Sequence, residues 1–242
     1  MSGSQTFNSS SAAFLAGVRS ALTSVYAIVL MGTYIGLGAL AHDVGVSPVW
    51  LAASTVIVWA APAQLIIISG LASGGTLVEV AIAVTLSATR LFPMVVALLP
   101  ALRGPGTRLR DMLLPTHFTS ISMWVESLRL LPHVAREHRI AFCNGLSCGY
   151  MATAVASGFA GYMLAAGLPP LLAGVLLFLT PLSFFLSTVN NARLAADKIA
   201  LVLGLLLGPL LAYWELPLDL MWTGIVGGTL AYGVHRIREV AQ

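Results

Sequence analysis

A few short polar clusters interrupt long apolar stretches, and their side chains can bind a small solute but are poorly suited to cutting or joining one. Gln64 stands two residues after Pro62 in Ala61-Pro62-Ala63-Gln64, Thr89-Arg90 falls late in an apolar run, Thr180 precedes Pro181, and Asn190-Asn191 closes the segment that Pro181 interrupts. A small solute carrying both charges needs donors for its anionic end, acceptors for its cationic end and an apolar pocket for the remainder. Proline removes a backbone donor and frees a carbonyl about one turn earlier, so a helix broken at membrane depth offers both kinds of backbone group. Gln64 and Thr180 supply the side-chain part of such a site. The bland alternative for Gln64 is an interhelical hydrogen bond worth about 0.6–2 kcal/mol. Arg90 costs at least about 2.5–3.5 kcal/mol near a bilayer centre, so it either holds a carboxylate inside the protein or snorkels to the interface from a helix end. His117 is the histidine nearest an apolar stretch and changes charge near neutral pH, which suits either proton coupling or an ordinary loop position. Asn190 and Asn191 either contact substrate or cap a helix.

Other chemistries find little support. The chain has no His-Glu-x-x-His or paired-aspartate motif, so an enzyme is not expected. Cys143 and Cys148 fall on different helix faces and read as packing residues, so neither a metal nor a cofactor is expected. Glu79 suits the first turn of a helix, and Glu126 with Arg129 at three-residue spacing predicts a solvated ion pair.

The elements that position these residues belong in lipid. Of 242 residues, 58% are hydrophobic and only 9% charged, which leaves room for roughly six to eight spans and no separate soluble domain. The net charge of +3 is dispersed between apolar runs, so it sets topology and does not bind nucleic acid. Residues 1–13 are Ser-rich and lack basic residues, predicting a disordered tail; 14–242 form a single transmembrane domain. Apolar segments are expected at about 14–41, 49–69 with a break at Pro62, 77–99, 141–166, 170–189, 199–213 and 218–234. Between them, 108–135 reads as a polar span, a re-entrant pair or an interfacial helix.

A shift of 122 positions places Gly36 on Gly158, Gly45 on Gly167 and Pro48 on Pro170. This predicts an internal repeat with halves at about 14–107 and 136–238, joined by 108–135, and charge distribution favours the inverted form. The expected fold is therefore an all-α polytopic bundle of about seven transmembrane helices with proline-broken helices and an inverted repeat. A secondary transporter is the leading reading. A membrane scaffold subunit competes with it, since Gly145 with Gly149 and Gly204 with Gly208 are spaced for helix association.

The ordered set Gly45-Val46-Ser47-Pro48, Ala61-Pro62-Ala63-Gln64, Ala88-Thr89-Arg90-Leu91, Leu114-Pro115-Thr116-His117-Phe118 and Phe178-Leu179-Thr180-Pro181-Leu182 resembles the AzlC family, the large subunits of bacterial branched-chain amino-acid exporters, from Gly17 to about Tyr232. The resemblance adds Thr116 to the candidate binding residues Pro62, Gln64, Thr89, Arg90, Thr180, Pro181, Asn190 and Asn191, and leaves His117 as the coupling candidate. It implies export of small hydrophobic amino acids across the bacterial cytoplasmic membrane, with a small AzlD-like subunit or a second copy as partner. This chain departs from the family's pattern where Ala88 replaces an Asn or Asp, Leu91 a His, and His117-Phe118 an Asp-Glu pair. The polar site is therefore altered on a retained scaffold.

Overall fold

The computed structural model describes residues 7–89, 91–104, 106–167, 169, 171–172, 175, 178, 182, 185–186, 189, 195–214 and 219–240. Among these the regular elements are helices: α1 (Ser10–Leu22), α2 (Val25–Asp43), α3 (Pro48–Val58), α4 (Ala61–Ala72), α5 (Leu77–Ala88), α6 (Leu91–Leu102), α7 (Leu109–His117), α8 (Ile121–Leu130), α9 (Arg139–Gly167), α10 (Ala195–Tyr213) and α11 (Asp219–Val240). Two 3-10 turns, Leu131–His133 and Arg136–His138, join α8 to α9. By length and composition three stretches among the described residues can cross a membrane: Val25–Asp43, Leu77–Leu102, which takes in α5 and α6, and Ala196–Tyr213. The apolar α3 and α4 are each too short.

The single first segment expected over 14–41 is two helices. Ser9 caps α1 by accepting from the Ala12 N–H, so the helix begins at Ser10. Ser24 caps α2 by accepting from the Ala27 N–H, and its hydroxyl shares a 2.9 Å hydrogen bond with the Tyr150 hydroxyl of α9. A serine able to satisfy orphan backbone donors makes the break at Thr23-Ser24 inexpensive.

Helix α9 is the axis on which the fold is built. Small residues let its backbone meet those of α1 and α2: a Cβ on Gly145 would overlap the Phe14 carbonyl, one on Gly161 the Ile35 carbonyl, and one on Gly38 the Gly158 carbonyl. Contacts advance in the same order on both sides. Phe14 meets Gly145, Val18 and Ala21 meet Gly149, Tyr34 lies by Gly158, and His42 packs edge-on against Tyr162. The α1–α2 pair therefore runs parallel to α9. This corrects the inverted repeat, because corresponding first helices of inverted halves must run in opposite senses. Gly145 and Gly149 are also consumed inside the chain and are not free for a partner.

The remaining described helices are two bent pairs, the apolar α5–α6 stretch between them, and a pair of exposed helices. Gln64 of α4 reaches Ser54 and Thr55 of α3. Ten residues of straight helix rise about 15 Å, so α4 must fold back toward α3. The α7–α8 pair likewise leaves and rejoins one end of the bundle. Ala101, at the end of α6, accepts from Arg139 at the start of α9 (2.8 Å), and Gly104 lies against the Arg136 carbonyl. Helix α5 opens with a reciprocal cap between Thr76 and Glu79, as the position of that carboxylate led one to expect. Helices α10 and α11 pack mainly against each other.

Overpacking costs about 1–3 kcal/mol, so Gly145→Ala and Gly161→Ala are expected to lower the thermal midpoint of the detergent-purified chain. Gly224→Ala, where nothing lies within 4 Å, should leave it unchanged or raise it. Equal behaviour of all three would contradict the α9 packing.

Candidate functional site

The break between α3 and α4 falls at Trp59-Ala60, slightly before the predicted proline. Pro62 sits in the first turn of α4, where its missing N–H is no loss. Trp59 adopts the left-handed conformation with φ 42° and ψ 38°, which costs energy in a bulky residue and persists only where surroundings enforce it. They do so here. The ring stacks on buried Tyr34 of α2 with centroids 6.5 Å apart, meets Phe118 edge-on at 6.3 Å, and its Nε1 donates to the Phe118 carbonyl at 2.8 Å.

Phe118 is the residue at which α7 ends, so the two bends meet tip to tip. The exchange is reciprocal. Breaking α3 strips partners from the carbonyls of its last turn, and one of these, on Val56, lies 3.2 Å from His117 Nε2. A carbonyl can only accept, so the proton on His117 resides at Nε2 in this contact. Each broken helix thus supplies the side chain that caps the other.

Gln64 is fully buried in the first turn of α4. The hydroxyls of Ser54 and Thr55 donate to the Leu51 carbonyl, so toward Gln64 they can only accept. That fixes the amide: Nε2 donates to Ser54 Oγ at 2.9 Å and to Thr55 Oγ1 at 3.0 Å, and Oε1 is left buried without a partner. In the first turn of α8 the Trp124 Nε1 is likewise buried without a partner. An orphaned buried polar atom costs about 1–3 kcal/mol. One bend therefore lacks a donor and the other an acceptor. In addition, Ala60 gives α4 no side-chain cap, so no side-chain acceptor from that position faces the positive end of the helix dipole.

Of the residues singled out from sequence, Pro62, Gln64 and His117 come together at the facing bends, with Thr116 beside His117. Thr89 does not show the same use: it is exposed and its hydroxyl donates to the Leu86 carbonyl at the end of α5. Arg90, Thr180, Pro181, Asn190 and Asn191 lie outside the described residues. Sequence reading missed Ser54, Thr55, Trp59 and Tyr34; the first two stood as a hydroxyl pair one turn before the break. It also misjudged Glu126, which is buried beneath Arg129 and is not solvated. Among the described residues no cluster of His, Cys, Asp and Glu could hold a metal. The open apolar trough formed by Leu77, Val78, Ala81, Ile82 and Thr85 contains none of the polar residues of the bends.

Long apolar helices and a buried polar core at two helix bends define a helical membrane protein. The chain belongs to the AzlC family: the family's model, described as AzlC protein, matches residues 25–168. That range runs from α2 to the end of α9 and contains both bends. The family is associated with membrane transport and not with catalysis. No curated protein and no solved structure matches the chain.

Trp59→Phe keeps the ring but removes the donor to the Phe118 carbonyl. It should cost about 1–3 kcal/mol, read as a lowered melting temperature in detergent, whereas His117→Gln, which retains a donor, should cost less than about 1 kcal/mol. No loss for Trp59→Phe would show that the bends do not depend on each other.

Proposed function

We propose that the chain is a secondary transporter that exports branched-chain or other small hydrophobic amino acids by alternating access, coupled to the proton gradient across a bacterial cytoplasmic membrane. The observation that carries this reading is the pair of complementary orphans at the bends. A ligand bearing both an ammonium group and a carboxylate satisfies Gln64 Oε1 with the first and Trp124 Nε1 or the start of α4 with the second. Apolar Ala61 and Ala63 beside Gln64 favour a hydrocarbon side chain over a polar one.

The topology that suits this reading has α1–α2, α5–α6 and α9 crossing the membrane, with α3–α4 and α7–α8 entering from opposite sides to meet at mid-depth. Arg103, Arg108, Arg110, Arg136 and Arg139 then gather at one end, the cytoplasmic one. Re-entrant backbone is tolerated in a membrane only where protein or a cavity surrounds it, and the reciprocal capping at Trp59 and His117 meets that condition. The family resemblance adds an AzlD-like subunit as the proposed partner.

Uptake of labelled leucine, valine, isoleucine and methionine into inverted vesicles, with and without a pH gradient, tests the proposal. A hydrogen bond to a charged group is worth about 1.5–3 kcal/mol, so Gln64→Ala should weaken transport of the accepted amino acid by roughly ten- to a hundredfold. No gradient-dependent accumulation of any of the four, with an AzlD-like subunit co-expressed, would overturn it.

A further inference from the structure

Glu126 lies on α8 six residues past Ser120, about 9 Å from the bend. Its side chain is 3% exposed, whereas that of its partner Arg129 is 65% exposed. Both carboxylate oxygens are engaged by that one guanidinium: Arg129 Nε donates to Oε2 at 3.0 Å and Nη2 to Oε1. Around the pair stand Tyr150 of α9, within electrostatic reach of both partners, and Tyr26 of α2, within reach of Arg129. The Tyr150 hydroxyl is bonded to Ser24 at the α1–α2 break. Helix α6, which also packs on α8, carries no titratable residue, and His133 of the adjoining 3-10 turn is exposed. No second cation among these groups can take over if Arg129 leaves.

We infer that Glu126 is the proton-coupling carboxylate of the transporter and Arg129 its mobile counter-ion. The inference rests on the proposed transport function. A carboxylate this buried cannot stay charged once its partner is gone, because an uncompensated buried charge is strongly disfavoured and the group neutralises instead. Arg129 can leave because its own side chain is mostly in contact with the surroundings. Movement of the guanidinium outward and addition of a proton to the Glu126 carboxylate are therefore two halves of one step, and loss of that proton returns Arg129. The ion pair lies on the helix that leaves the α7–α8 bend and, through Tyr150 and Tyr26, within electrostatic reach of the α1–α2 break. Its making and breaking can thus be felt at the substrate position without contact with substrate. This places coupling on Glu126 and leaves His117 as the cap of the α3 break.

The test uses the full chain in liposomes with two readouts. In the first, infrared difference spectra are recorded on acidification. A protonated-carboxyl C=O band should appear in the wild type, be absent in Glu126→Gln, and be present before acidification in Arg129→Ala, where the buried carboxyl has lost its counter-ion. In the second, leucine counterflow and pH-gradient-driven leucine accumulation are compared. Glu126→Gln should lose accumulation yet keep counterflow, and Glu126→Asp should restore part of the accumulation. Wild-type accumulation in Glu126→Gln, or loss of counterflow as well in a variant that remains monodisperse, would overturn the inference. If the wild type moves no leucine, the transport reading fails by itself, and the infrared band alone then decides whether Glu126 takes up a proton in this chain.

Discussion

Everything at the centre of this protein depends on one exchange: Trp59 caps the carbonyl at the end of α7, and His117 caps a carbonyl at the end of α3. A helix that stops inside a membrane exposes backbone groups that lipid cannot satisfy, and each such group costs several kcal/mol. Two helices that stop at the same place can satisfy one another. The left-handed Trp59 is the strained point of this arrangement, and it is held by stacking on Tyr34, by Phe118 and by its own hydrogen bond. Because the caps are side chains from the opposite bend, neither bend is complete without the other. A shift at one must be felt at the other.

That exchange needs a rigid frame, and the glycine contacts of α9 provide it. Backbone-to-backbone packing at Gly145, Gly158 and Gly161 leaves little slack in the position of α1 and α2. Tyr34, which backs Trp59, is therefore fixed from the far side of α2. The Tyr150 hydroxyl at the Thr23-Ser24 break adds a polar tie where α9 passes that break. The Glu126–Arg129 pair lies within electrostatic reach of this tie through Tyr150.

Much of the helical content and the membrane character was legible in the composition, and Gln64 stood out because an amide beside a proline in an apolar run is unusual. The place of Glu79 in the first turn of a helix was legible from its local setting, although its reciprocal cap with Thr76 was not read. What could not be read was anything that depends on helices meeting. Proline marked a break but not its position, since Pro62 is as comfortable in a helix's first turn as at its interruption. The burial of Glu126 was hidden because three-residue spacing to an arginine looks the same on a solvated face and beneath a packed one. Glycine positions matched at a shift of 122 residues, yet the residue that meets Gly158 is Gly38 and not its aligned Gly36, and the match carried no information about relative direction.

The central claim is that the meeting of the two bends is where a small zwitterion binds. It is tested most directly by placing a cysteine at Ala60, in a chain whose Cys143 and Cys148 are replaced by alanine, and measuring its modification by a small water-soluble thiol reagent. The expected result is that Ala60→Cys reacts and that leucine, valine or isoleucine slows the reaction, while a cysteine at exposed Leu77 is unaffected. Modification at Ala60 that no amino acid alters would contradict the account.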